Sequence, residues 1–205
     1  HMSCRRQRQM CIRDRAMSGG ALIASSPFVA MELVPHGTLE RGRFEDWRQV
    51  QTVLLGILDA LAHAHGAKII HCDVKPENFI IFPGNRLRLT DFGFSKIAVR
   101  SVRRASGSGT VGYLAPEQAL GRPMFQSDVF ALGLVIYEMF SGQLPEWPYQ
   151  WPPPGHARIR GKLKPRILAW LRKAIEFRPQ DRYRNAVAME RAFNEIHAKV
   201  LRRVR

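Results

Sequence analysis

The longest regular pattern of apolar positions runs from Asp46 to His65. Val50, Val53, Leu54, Ile57, Leu58 and Leu61 recur there at three- and four-residue spacing. That spacing puts them on one face of a helix and predicts that the face is buried. Gly66 supplies a natural stop. A second stretch, Asp128–Phe140, is apolar almost all round, with Val129, Phe130, Leu132, Leu134, Val135, Ile136, Tyr137, Met139 and Phe140. Such a helix has no polar face to offer water, so it is predicted to be central. Ser141-Gly142 ends it, and Pro165–Ile175 and Asn185–Val200 read as closing amphipathic helices.

The strand-type pattern is shorter and comes in pieces. Ala21–Ala24 and Phe28–Leu33 are apolar runs separated by Ser25-Ser26-Pro27, which predicts a hairpin, and Pro35-His36-Gly37 is a turn. Lys68–Ile70, Phe79–Phe82 and Arg86–Leu89 are predicted as short strands, the last two joined by Pro83-Gly84-Asn85. Residues 93–114 are rich in Gly, Ser and Arg and read as a long loop. Residues 145–155, rich in proline and tryptophan, read as an irregular surface segment. The pattern predicts an α+β chain, predominantly α-helical, with short β-hairpins.

Composition narrows this picture. A chain of 205 residues with 45% hydrophobic content builds one packed domain. No apolar run is long enough to span a membrane, and basic residues from Arg5 to Arg15 leave no room for a signal-peptide core. Cys4, Cys11 and Cys72 form neither a disulfide framework nor a metal-ligand spacing, which points to a reducing, cytoplasmic setting. The net charge of +15 raises a nucleic-acid partner as a question. The arginines cluster at Arg5–Arg15, Arg100–Arg104, Arg158–Arg166 and Arg202–Arg205 with no interleaved aromatic residues. They read as a basic surface, so no nucleic-acid partner is expected.

The first eighteen residues stand apart. His1-Met2 reads as a cloning remnant, and Arg5–Arg15 has neither helical nor strand periodicity. That stretch resembles the translation of a transposase-type sequencing adapter, so residues 1–18 are expected to be an adapter-derived or disordered arm. Intact genomic sequence on both sides of it would refute this.

The candidate chemistry lies in His71-Cys72-Asp73-Val74-Lys75-Pro76-Glu77-Asn78 and in Thr90-Asp91-Phe92-Gly93. Asp73, Lys75, Asn78 and Asp91 sit where loops leave short apolar strands. Phosphoryl transfer needs a carboxylate to orient a hydroxyl, oxygen ligands for Mg²⁺, and a cation beside the transferring group. These residue types supply each part.

The two stretches resemble the catalytic loop and the metal-binding Asp-Phe-Gly of eukaryotic-type (Hanks-type) Ser/Thr protein kinases. Gly109–Glu117 is similar to the end of an activation segment, Asp128 to the aspartate that braces the catalytic loop, and Arg178–Arg182 to the motif whose arginine pairs with Glu117. The resemblance covers about residues 21–198. It implies a kinase C-terminal lobe over 35–205, with a residual N-terminal-lobe hairpin and hinge over 19–34. It implies Asp73 as catalytic base, Lys75 on the γ-phosphate, Asn78 and Asp91 on Mg²⁺, and Thr110 helping to select a Ser or Thr hydroxyl of a protein substrate. Met31 would be the gatekeeper, Glu32 and Val34 would pair with the adenine of ATP through their backbones, and Ile80 would lie beneath it. On the residues alone, Met31 and Ile80 are ordinary core, and His71 is a packed histidine.

Three departures qualify the resemblance. Position 72 is Cys where many kinases carry the arginine that pairs with a phosphorylated activation loop, which argues against that switch. Gly107–Gly112 matches G-x-G-x-x-G but runs straight into Tyr113–Glu117, with neither the strand nor the helix a nucleotide loop needs. Finally, the first lysine is Lys68 and the first glutamate Glu32, so no Lys–Glu pair precedes the hinge. A truncated enzyme, inactive or very weak alone, is therefore expected. The alternative is a lobe-only pseudokinase acting as a binding or scaffold module. A homodimer through the uncovered face around Phe28, Met31 and Ile80, or the N-terminal arm folding over that face, is a further expectation.

Overall fold

The structure, a computed structural model, describes residues 37–39, 47–84, 86–97, 111–146 and 150–201. The chain divides into His1–Pro35 and His36–Arg205, and every described residue belongs to the second unit. The hairpin expected over Ala21–Leu33, and Met31, Glu32, Val34 and Thr110 with it, lie outside the described residues.

The described elements are helices α1 (Trp47–Gly66), α2 (Pro116–Ala119), α3 (Phe125–Ser141), α4 (His156–Lys162), α5 (Pro165–Ala174) and α6 (Ala186–Leu201), and strands β1 (Ile69–Ile70), β2 (Phe79–Phe82), β3 (Arg86–Leu89) and β4 (Lys96–Ile97). This is the mostly helical α+β architecture of a kinase C-terminal lobe.

Helix α3 lies at the centre of the described core. Val129, Phe130, Leu132, Leu134, Val135, Ile136 and Tyr137 are all fully buried. The face of α1 carrying Val53, Leu54, Ile57, Leu58 and Leu61 joins the same core, as do Ile167, Trp170 and Leu171 of α5 and Met189 and Phe193 of α6. Burying one such side chain stabilises by about 1.5–3 kcal/mol, so this shared core holds the helices together. Helix α3 begins three residues earlier than its apolar run, because Phe125, Gln126 and Ser127 form its first turn. It ends at Gly142, which takes a left-handed φ of 70°.

The polar tips of core aromatics also have partners. The Tyr137 hydroxyl points its hydrogen at the carbonyls of Pro153 and Pro154, at 3.0 and 2.9 Å, and so anchors the proline-rich segment. Trp170 Nε1–H donates to the Met189 carbonyl at 2.9 Å, tying α5 to α6.

Strands β2 and β3 form the expected hairpin, with Phe79 opposite Leu89 and Phe82 opposite Arg86. The pairing of β1 with β4, Ile69 opposite Ile97 and Ile70 opposite Lys96, has no sequence signal. Strand β1 falls within the run expected over Lys68–Ile70, whereas β4, two residues long, lies in the stretch 93–114 that reads as a loop, and nothing local names its partner. Helix α4 falls just after the proline-rich stretch and was not anticipated either. Its single buried residue, Ile159, is too little for a pattern.

Candidate functional site

Two antiparallel ladders bring the chemical residues together. The segment 71–78 joins β1 to β2, and the segment 90–95 joins β3 to β4. Since β1 pairs with β4 and β2 with β3, the two segments leave the ladders side by side. Thr90 confirms the approach: its N–H and its hydroxyl both donate to the Asn78 carbonyl, at 2.9 and 3.2 Å.

His71 ties the segments from inside. It is fully buried, its Nε2 lies 2.8 Å from the Thr90 carbonyl, and its Nδ1 accepts the Asp73 N–H at 3.3 Å. A carbonyl only accepts, so the ring proton is on Nε2. The ring packs edge-on against Phe92 with centroids 4.8 Å apart. His71 is a structural histidine with both nitrogens engaged.

Asp73 is buried at 5% exposure, and its Oδ2 lies 2.9 Å from Lys75 Nζ and 3.2 Å from Asn78 Nδ2. Asn78 Nδ2 also donates to the Asp73 carbonyl at 2.7 Å. With its nitrogen so committed, the Asn78 oxygen is the atom suited to a cation. The hydrogen bond to Asp73 raises the Lys75 pKa above its ordinary value, and the charges of Asp73, Glu77 and Asp91 add to the effect against the opposing cost of burial. Lys75 therefore stays an ammonium at neutral pH.

Asp91 is exposed on the neighbouring segment and has a left-handed backbone, φ 60° and ψ 61°. Cys72 has φ 69°. Left-handed geometry is uncommon for non-glycine residues and costs about 1–3 kcal/mol where it is held. The hold on Cys72 is visible. Asp128, at the start of α3, accepts the His71 N–H at 2.7 Å and the Cys72 N–H at 2.9 Å. Gln118 Nε2 donates to the Cys72 carbonyl. Cys72 itself is 3% exposed.

The segment that follows is braced by one buried ion pair. Arg182 grips Glu117 through both guanidinium nitrogens, Nη1 to Oε1 at 2.7 Å and Nη2 to Oε2 at 3.1 Å. Ser127 Oγ donates to the same Oε1 at 2.7 Å. Arg182 also donates to the carbonyls of Glu176, Gln126 and Phe177, and its guanidinium lies 4.5 Å from the Phe130 ring centre. Burial lowers its pKa, and the bond to Glu117 opposes that shift. Every donor direction is used, as a buried guanidinium requires.

Asp73, Lys75 and Asn78 are thus in direct contact, with Asp91 on the adjoining segment. Ile80 is half-buried on β2, opposite Arg88. Val111–Tyr113 forms a single 3₁₀ turn rather than the start of a long helix. A Cβ on Gly112 would stand 2.6 Å from Leu144 Cδ2, so that glycine serves close packing. Two contributors had no signal of their own in the sequence: Gln118, described above, and His65, whose Nε2 lies 2.9 Å from Asp128 Oδ2.

Among the described residues no group of three or more His, Cys, Asp or Glu is placed to hold a metal ion. One amide oxygen and one carboxylate fit Mg²⁺, which keeps several waters and shares substrate phosphates. No helix among the described residues is long and apolar enough to cross a membrane.

Comparison with known proteins gives the same reading. The family model for the protein kinase domain matches residues 21–191. Serine/threonine-protein kinase C of Synechocystis sp. is 32% identical over 178 residues, covering 79% of this chain and 33% of that protein. Serine/threonine-protein kinase PknL of Mycobacterium tuberculosis is 35% identical over 182 residues, covering 80% of this chain and 45% of that protein. PknB of the same species is 33% identical over 192 residues, covering 83% and 30%. The chain matches between about a third and a half of the length of these relatives. A domain match of this extent, on a fold that sets Asp73, Lys75 and Asn78 in contact, makes the chain a member of the eukaryotic-type Ser/Thr protein kinase family.

Proposed function

We propose that this chain carries the C-terminal half of an ATP-dependent Ser/Thr protein kinase site. The observation that carries the reading is the Asp73–Lys75–Asn78 cluster with Asp91 beside it. Asp73 accepts the proton of a substrate Ser or Thr hydroxyl as that oxygen bonds to the γ-phosphorus. The bond from that phosphorus to the bridging oxygen breaks, and ADP leaves. Lys75 sits where its charge meets the transferring group, and Thr110 assists in orienting the hydroxyl. Asn78 and Asp91 would hold Mg²⁺, which neutralises phosphate charge when bound. Met31, Glu32, Val34 and Ile80 would contact the adenine.

The reading places the glycine-rich loop and the phosphate-binding lysine outside these 205 residues, because no lysine precedes Lys68. Removing one preorganised charge-stabilising contact costs about 3 kcal/mol, roughly a hundredfold in rate. Two such losses predict a rate lower by about four orders of magnitude.

The test has two arms. The purified chain is incubated with labelled ATP and protein substrates, and no substantial transfer is expected. The same chain preceded by its upstream genomic sequence is expected to transfer phosphate to Ser or Thr, and Asp73→Asn to abolish it. Robust Asp73-dependent transfer by the 205-residue chain would refute the requirement for the missing half. Inactivity of the extended protein would refute the enzyme reading and favour a binding module.

A further inference from the structure

The Asp128 carboxylate has a third partner besides the His71 and Cys72 amides. His65, in the last turn of α1, places Nε2 at 2.9 Å from Oδ2. The other ring nitrogen, Nδ1, lies 2.9 Å from the backbone nitrogen of Ala186, the first residue of α6 and 121 positions away. The side chain is fully buried, and the ring packs against Phe125 of α3 with centroids 4.7 Å apart.

These two contacts leave the ring one state. A backbone N–H can only donate, so Nδ1 must offer its lone pair. The ring proton therefore sits on Nε2 and is donated to Asp128. A protonated Nδ1 would point a hydrogen at the Ala186 N–H, and that link would break. The Ala186 amide is also one of the N–H groups that a helix start leaves unsatisfied. Asn185 Oδ1 serves Ala188 in the same turn at 2.9 Å, and His65 reaches across from α1 to serve Ala186.

We propose that His65 is a positioning residue which, in its Nε2–H form, couples the docked first turn of α6 to the hold of Asp128 on the catalytic loop. The loop needs such a hold because Cys72 is kept at φ 69° by the bonds to its N–H and C=O. Asp128 Oδ2 is shared by the His71 N–H and by His65, so the orientation that serves one serves the other. Through one ring, α1, α3, α6 and the segment 71–78 are set in register. The consequence for phosphoryl transfer rests on the kinase reading above, whereas the coupling itself does not.

The experiment uses the 205-residue protein labelled with ¹⁵N. Long-range ¹H–¹⁵N correlation of the ring is expected to show His65 as the Nε2–H tautomer. The Nδ1–H tautomer, or rapid averaging of the two, would overturn the proposal. Amide exchange is then compared with that of His65→Phe, which keeps a planar ring and loses both bonds. Exchange at His71, Cys72 and Ala186 is expected to rise at least tenfold while Leu132–Ile136 of α3 keep their protection. His65→Gln, with one donor and one acceptor, is expected to recover part of the loss, and it serves where the Phe variant does not fold. Unchanged exchange at the three amides, or an equal rise throughout α3, would overturn the coupling. Neither readout uses turnover, so an inactive enzyme and a failed coupling give different results.

Discussion

Tyr137 shows how one polar atom in the core makes a residue sensitive to pH. Burial pushes its phenol from 10.0 up to about 12. The folded state favours the protonated form, whose hydrogen bonds the Pro153 and Pro154 carbonyls. A raised pKa contributes stability that is complete below the unfolded value and is lost as pH rises through the folded one. The unfolding temperature is therefore expected to fall between pH 10 and 12, and Tyr183, also pushed up to about 12, adds to the fall. Tyr137→Phe should cost about 1 kcal/mol at neutral pH and flatten part of the alkaline limb. An unchanged limb in thermal melts of the variant would contradict this. The same scale shows what residue types alone disclosed. Asp73, Lys75, Asn78 and Asp91 were legible because their spacing within two short motifs is distinctive. Gln118 and His65 were not, since a glutamine and a histidine acquire these roles only from what stands opposite them.

Between elements, close approach decides. Gly133 lies in the middle of α3 where it meets α5, and a Cβ there would stand 2.5 Å from Ile175 Cγ2 and 3.1 Å from Ala174 Cβ. Helix propensity alone favours Gly133→Ala by about 1 kcal/mol. Overpacking costs about 1–3 kcal/mol, and both neighbours stand too close to admit a methyl group without moving, so the variant is expected to be less stable. A lower urea midpoint with an unchanged slope would show it, and an equal or higher midpoint would mean that α5 yields freely. Helices with a periodic apolar face, α1, α5 and α6, and α3 with its nearly continuous apolar run, could be read to within three residues of their ends. Strand β4 and its pairing with β1 could not, because a two-residue strand carries no period and its partner is set by distant chain.

For the molecule as a whole, charge and apolar surface pull in different directions. A net charge of +15 favours dispersion. Yet Phe92 is 43% exposed beside the candidate site, and Ile80 is half-buried on the hairpin. Exposed apolar surface promotes self-association, so the homodimer expected from the sequence around Phe28, Met31 and Ile80 can be tested at this surface. Sedimentation velocity at moderate salt should show a dimer that weakens in Phe92→Ser. A monomer at all concentrations would refute the pairing.

The sequence by itself determined the family, the helical body and the identity of the chemical groups. Those depend on local spacing, and local spacing survives without coordinates. Tertiary structure alone decided which groups meet. It set Asp73 against Lys75 and Asn78 and placed His65 between Asp128 and Ala186, whereas the Glu117–Arg182 pair was already expected from the resemblance. The physical reason is that a buried polar atom must find a partner wherever the packed core brings one. The core is assembled by non-directional apolar burial, which leaves no mark of its partners in the linear chain.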